Sequence, residues 1–145
     1  MNEINRHDVE SLLALLTEDH LMIDADGTEV RGRDRLREAW ADRFRAFPDY
    51  HLGVKEWFQN GRTVGMFGTA SGTFASGDQL PAENRWRAPA AWRAVVRDHQ
   101  IAVWQAYLDR APALRAMKGR RVEGERAAEA APPPGNGSSP ATTGP

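Results

Sequence analysis

The hydrophobic period of this chain changes once, near Pro48, and that change limits the folds open to it. Up to Pro48 the apolar residues recur at helical spacing: Val9, Leu12, Leu13, Leu15 and Leu16, then Leu36, Trp40, Phe44 and Phe47. Residues three and four apart share one helix face. The first set, behind the capping side chains of Asn5-Arg6-His7-Asp8, predicts an amphipathic helix of about three turns. The second predicts a helix starting after Gly32 and stopped by Pro48, which cannot continue one. Between them His20 to Asp24 reads as a short strand and Asp24-Ala25-Asp26-Gly27 as a turn.

From Tyr50 the period falls to two. Tyr50, Leu52, Val54 and Phe58 alternate with more polar residues, Asn60-Gly61 is hairpin chemistry, and Thr63 to Phe74 runs back. Gly65, Gly68 and Gly72 in that return strand point to strong bending or close backbone approach. Arg85 to Arg97 and Ile101 to Leu108 read as a last pair about Asp98-His99-Gln100, followed by a helical turn around Ala113 to Met117. Strands that succeed one another with no helix between them predict an α+β fold, with helices packed on one face of a strongly curved antiparallel sheet.

One core is what 145 residues with 41% hydrophobic content supply. We place the domain at residues 1–118. From Gly119 the chain turns to arginine, glutamate and alanine and then to Pro132-Pro133-Pro134-Gly135-Asn136-Gly137, so residues 119–145 read as a disordered Pro/Gly/Ala/Ser-rich tail. A net charge of -1 gives no global attraction for nucleic acid or an anionic membrane, and no apolar run reaches the roughly 20 residues of a membrane helix. Without cysteine there is no disulfide framework or thiolate nucleophile, which suits the cytoplasm. His7, His20, His51 and His99 are dispersed, so no metal site is expected, and no glycine-rich phosphate loop or other cofactor motif is present.

If Asp98-His99-Gln100 is a three-residue loop, Trp86, Ala88, Ala90, Trp92, Ala94 and Val96 share a face with Ala102, Trp104, Ala106 and Leu108. Aromatics separated by alanines leave room along an apolar wall. Trp86, Trp92 and Trp104, with Trp40 and Trp57, are therefore candidate contacts for a small apolar molecule, the alternative being ordinary core filling. A bulge at Pro89 would invert part of this register. Arg85, Arg87, Arg93 and Arg97 fall on the opposite face with Ile101, Val103, Gln105 and Tyr107, a mixed surface suited to a homodimer or simply to solvent.

Asn5-Arg6-His7-Asp8, Gly32-Arg33-Asp34-Arg35-Leu36-Arg37-Glu38-Ala39-Trp40, Ala46-Phe47-Pro48-Asp49-Tyr50-His51, Gly68-Thr69-Ala70-Ser71-Gly72-Thr73 and Trp104-Gln105-Ala106-Tyr107-Leu108-Asp109 occur in the order and spacing of SnoaL-like sequences. The chain from Asn5 to Met117 thus resembles the SnoaL-like family of the nuclear transport factor 2-like superfamily. That resemblance implies a cone of curved sheet plugged by helices around one small-molecule pocket. It also implies cofactor-independent acid/base chemistry like that of polyketide cyclases, ketosteroid isomerases and epoxide hydrolases, in which burial tunes carboxyl groups.

In the isomerase-like pattern the general base follows the first strand, and Asp24 matches it. The competing reading of Asp24 is a turn residue bonded to its own backbone. Asp109 resembles a common residue of the family's pocket, or caps the helical turn that follows it. The sequence departs from the pattern in other places. The N-terminal helix is shortened and lacks the isomerase tyrosine, the cyclase Gly-Thr-His stands as Gly72-Thr73-Phe74, and no carboxylate lies at Trp92 to Ala94. A non-catalytic binding or dimerisation module is therefore the alternative to an enzyme.

Overall fold

A computed structural model describes residues 1–118; the predicted tail, residues 119–145, lies outside the described residues. Two short helices, α1 (Asn2–Asn5) and α2 (Val9–Ala14), lead into strand β1 (Leu16–Ile23) and a three-residue strand β2 (Glu29–Arg31). Helix α3 (Arg33–Ala46) precedes strands β3 (His51–Asn60), β4 (Thr63–Thr73), β5 (Arg85–Arg97) and β6 (Gln100–Leu108). A last helix, α4, occupies residues 111–118.

The six strands form one sheet in the order β2-β1-β6-β5-β4-β3. β3 to β6 make the expected antiparallel meander, but β1 pairs with β6 in parallel, so the sheet is mixed. The first helix is shorter than its leucine pattern predicts, because Leu16 leaves the helix and enters β1. Its carbonyl accepts from the Gln100 side chain, and Ile101 donates to the Leu15 carbonyl at 2.8 Å. These partners lie far along the chain, and their ladder outweighs a weak local helix preference.

The β5–β6 connection is the two-residue turn Asp98-His99, with φ of 50° and 64°, rather than a three-residue loop. A register shift between Val95 and Val96 opposes two residues of β6 to one of β5 and restores the predicted facing. Ala94 meets Trp104 and Trp92 meets Ala106 on the buried side, and β5 passes Pro89 without a register shift against β4. On that side Trp86, Ala88, Ala90, Trp92, Ala94, Trp104 and Ala106 are buried and pack with Leu36 and Trp40 of α3 and Leu12 and Leu13 of α2. Burying one such large side chain contributes roughly 1.5–3 kcal/mol.

The glycines of β4 are spacing devices. A Cβ on Gly68 would lie 1.8 Å from the carbonyl oxygen of Gly53, and one on Gly65 would lie 2.3 Å from the Phe58 ring. At Gly68 two backbones meet with no room for a side chain, beside the bulge between Val54 and Glu56 that bends β3.

The family-like motifs prove to be ties between elements. Asn5 donates to the Leu52 carbonyl and accepts from the Leu52 N–H at 2.8 Å, so its amide mimics a neighbouring strand. His7 bonds the Tyr50 carbonyl at 2.9 Å and stacks on Phe44, while Asp8 caps α2 through Ser11. Asp49 accepts from the Thr73 hydroxyl at 2.7 Å and from its backbone N–H. Asn5→Ala should therefore strand both polar groups of Leu52 and cost about 1–3 kcal/mol, read as a lowered denaturant midpoint at unchanged slope.

Candidate functional site

The turn after β1, the last turn of α3, the connection from α3 to β3, the start of β5, the end of β6 and helix α4 converge on one cavity of about 110 Å³. Phe47, Trp86, Leu108, Ala113, Leu114 and Met117 make its apolar wall. Asp24, Arg43, Tyr50 and Arg110 bring polar groups to it.

Asp24 reaches the cavity because β1 ends at Ile23 and a tight turn follows, in which the Asp24 N–H donates to the Thr28 carbonyl and the Gly27 N–H to the Asp24 carbonyl. One carboxylate oxygen accepts from the Ala25 N–H at 2.9 Å and the other from Arg43 at 2.9 Å. The turn contact and the cavity contact therefore coexist on one side chain. About a quarter of each side chain of this ion pair is exposed. Asp26, on the same turn, pairs with Arg110. The Thr28 backbone N–H, then the Thr28 hydroxyl and Arg110, hold its carboxyl down at about 2.

Arg43 is placed by helix periodicity: Leu36, Trp40, Arg43 and Phe47 follow at spacings of four, three and four. Its guanidinium lies 5.2 Å from the Trp40 ring centroid and 5.8 Å from that of Tyr50. Burial works against its charge, but Tyr50 and Asp24 more than offset this and leave its pKa above the ordinary value. Tyr50 is buried, and burial pushes its phenol above the ordinary range while Arg43 pulls the other way. At this cavity the phenol thus stays protonated near neutral pH and is available as a hydrogen-bond donor.

The structure brings together two of the predicted site residues, Asp24 and Trp86, on this cavity. Trp40 and Trp104 line a second, smaller void of about 30 Å³ with His20, Met22 and Ile101. His20 there bonds the Ile101 carbonyl at 2.7 Å, and burial lowers its pKa. Trp92 is 2% exposed and packs in the core across from Met66 and Ala106.

Trp57 is corrected by the structure: it is 67% exposed. Every residue of β3 from Val54 onward is exposed, so this half of the hairpin stands clear of the helices and its tryptophan cannot wall a cavity. Asp109 points to the backbone, accepting from the Ala111 N–H at the start of α4 at 2.9 Å. Phe74, where a cyclase-like histidine would stand, packs edge-on against Phe47. Arg43, Tyr50 and Arg110 are the site residues that sequence reasoning missed. The four-three-four spacing was a usable signal for Arg43, and nothing comparable marked Arg110.

Among the described residues no cluster of three His, Cys, Asp or Glu could hold a metal, and no helix is long and apolar enough to cross a membrane.

Comparison with known structures agrees with the fold. A protein of ketosteroid isomerase-like fold from Catenulispora acidiphila, in complex with trimethylamine, superposes with a TM-score of 0.67 at 18% identity, over 77% of this chain and 83% of that one. A protein assigned to the SnoaL-like polyketide cyclases from Shewanella putrefaciens gives 0.68 at 14% identity, over 82% and 80%. An epoxide hydrolase from M. tuberculosis gives 0.65 at 15% identity, over 87% and 89%. At such identities these likenesses establish the fold. No curated relative matches the sequence. The profile of the SnoaL-like domain matches residues 1–104, and the chain belongs to that family.

Proposed function

We propose that the protein binds a small, mostly apolar molecule in the cavity beneath α4, with the polar end of that molecule against Asp24, Arg43 and Tyr50. The observation that carries this reading is the convergence of a carboxylate, a guanidinium and a phenol on one apolar-walled cavity, each from a different element. Such a set suits a ligand with a carbonyl or hydroxyl group at one end. The test is ligand binding by wild type and by Ala113→Phe, which fills the cavity from α4. A panel of small ketones, epoxides and esters should yield ligands that wild type binds and the variant loses, with the fold kept by circular dichroism. Equal binding by both proteins would refute the site.

The same geometry supports acid/base chemistry at Asp24. Its carboxylate can move a proton while Tyr50 and Arg43 donate to a developing oxyanion, the phenol entering from the residue just before β3 instead of from an N-terminal helix. The alternative, a binding module without turnover, is favoured by a different observation. Both Asp24 oxygens already accept hydrogen bonds, one of them from Arg43, so the ligand must displace the guanidinium before the carboxylate can act.

The outer face of the sheet belongs to the same proposal, as a homodimer surface. Phe58 and Phe67 stack there with centroids 5.9 Å apart, and with Tyr107 they are about half exposed. Val103→Glu, in the middle of this face beside Val95, should turn a dimer into a monomer in sedimentation. A wild type that is monomeric at micromolar concentration would remove this part of the reading.

A further inference from the structure

The aromatic rings behind the cavity pack against one another in series. Phe47 meets Trp86 edge-on with centroids 5.7 Å apart, Trp86 meets Tyr50 at 6.2 Å, and Tyr50 meets Trp40 at 6.5 Å. Further in, Trp40, Trp92 and Trp104 fill the inside of the sheet together with Met22 and Leu36, all of them buried. The void left among Trp40, Trp104 and His20 measures about 30 Å³, room for roughly one or two water-sized molecules. The tryptophans thus close the interior, and the space for a ligand is the cavity of about 110 Å³ under α4. A dry cavity of about 150 Å³ holds one benzene molecule, so this one holds about five to seven non-hydrogen atoms.

The polar end narrows the choice further. Both Asp24 oxygens already accept hydrogen bonds, one from the Ala25 N–H and one from Arg43. Arg43 gives that carboxylate a single nitrogen, Nη2, which leaves most of its donors and the Tyr50 phenol for another acceptor. With donors in excess and the carboxylate occupied, an acceptor on the ligand completes the set and a donor does not.

From this combination we infer that the ligand is a compact carbonyl compound, with one small ring or a short branch beside a carbonyl oxygen that accepts from Tyr50 and Arg43, and that fused rings are excluded by the wall of Trp86 and Leu108. The inference rests on the proposed ligand-binding role of the cavity and adds the size and hydrogen-bonding sense of the ligand to it.

The probes are cyclopentanone, its hydrocarbon counterpart methylcyclopentane, and a decalone whose second ring is fused beside the carbonyl. Each is titrated into isotope-labelled wild type, Leu108→Ala and Ala113→Phe, and binding is read at the indole N–H signal of Trp86, with that of the exposed Trp57 as the control. Wild type should bind cyclopentanone roughly tenfold tighter than methylcyclopentane, which leaves the donors unpaired, and roughly tenfold tighter than the decalone, which overfills the cavity. Leu108→Ala trims the wall at the end of β6 and should raise the affinity for the decalone about tenfold; Met117→Ala, at a position 40% exposed, widens the cavity from α4 should the first variant fail to fold. A decalone or a methylcyclopentane that binds wild type as tightly as cyclopentanone, with all binding lost in Ala113→Phe, would overturn the inference and leave the cavity reading standing. Folded, widened variants that gain nothing for the decalone would do the same. Shifts that Ala113→Phe leaves untouched, or no shift at Trp86 with any probe, would overturn both.

Discussion

Gly68→Ala should be the most damaging of the Gly→Ala changes at the described glycines within strands. Its Cβ would sit 1.8 Å from the Gly53 carbonyl oxygen, and a backbone oxygen cannot rotate out of the way as a side chain can. β3 and β4 would have to part where Val54 meets Gly68, and the ladder bonds on either side would stretch with them. Overpacking of this kind costs about 3 kcal/mol or more, which in a domain of this size lowers the melting temperature by roughly 10 °C. Gly53→Ala is the matched control. Its Cβ would meet the Thr69 hydroxyl at 3.3 Å, and a small side-chain adjustment accommodates that, so its cost should stay below about 1 kcal/mol. Two similar, small melting shifts would mean that the close approach at Gly68 does not hold in solution.

The second large effect is expected at Asp24. On the acid/base reading Asp24→Asn keeps the shape of the side chain and the contact to the Ala25 N–H but loses the proton-accepting group, and turnover of a true substrate should fall by about 10²–10⁴-fold. The substitution also takes the counter-charge from Arg43, which is only about a quarter exposed. A loss of about 1–2 kcal/mol in stability should therefore accompany the loss of activity, less than for a fully buried pair because solvent reaches both partners. The two readouts separate the readings. A stability change with turnover intact would assign Asp24 to the Arg43 ion pair and the turn, and would put the non-catalytic module ahead of the enzyme.

Much of the fold was legible because its signals are local. Helix α3 follows from Leu36, Trp40 and Phe47 with Pro48 at its end, and the hairpin at Asn60-Gly61 follows from turn chemistry. The predicted facing of β5 and β6 survived a wrong loop length because the bulge near Ala102 offsets the shorter turn. What escaped was non-local. No feature of Leu15-Leu16-Thr17 announces that Leu16 pairs with Ile101, and β2 is too short to show a period.

The site was less legible than the fold for the same reason. Asp24 and Trp86 could be read from a strand end and a face pattern. Tyr50 looked like any apolar strand residue, and Arg43 like one of the many arginines of α3, until the cavity joined them. Trp57 failed for a related cause: alternation gives the side of a strand, but not how far along it the covering helices extend.

The central claim is that a small molecule occupies the cavity between Asp24, Tyr50 and α4. Native mass spectrometry of the protein purified from its own host tests it most directly, with Ala113→Phe prepared in parallel. The account predicts that wild type carries a retained small molecule, released on unfolding, and that the cavity-filling variant does not. A wild type that shows only the bare polypeptide mass, or a ligand retained equally by both proteins, would contradict it.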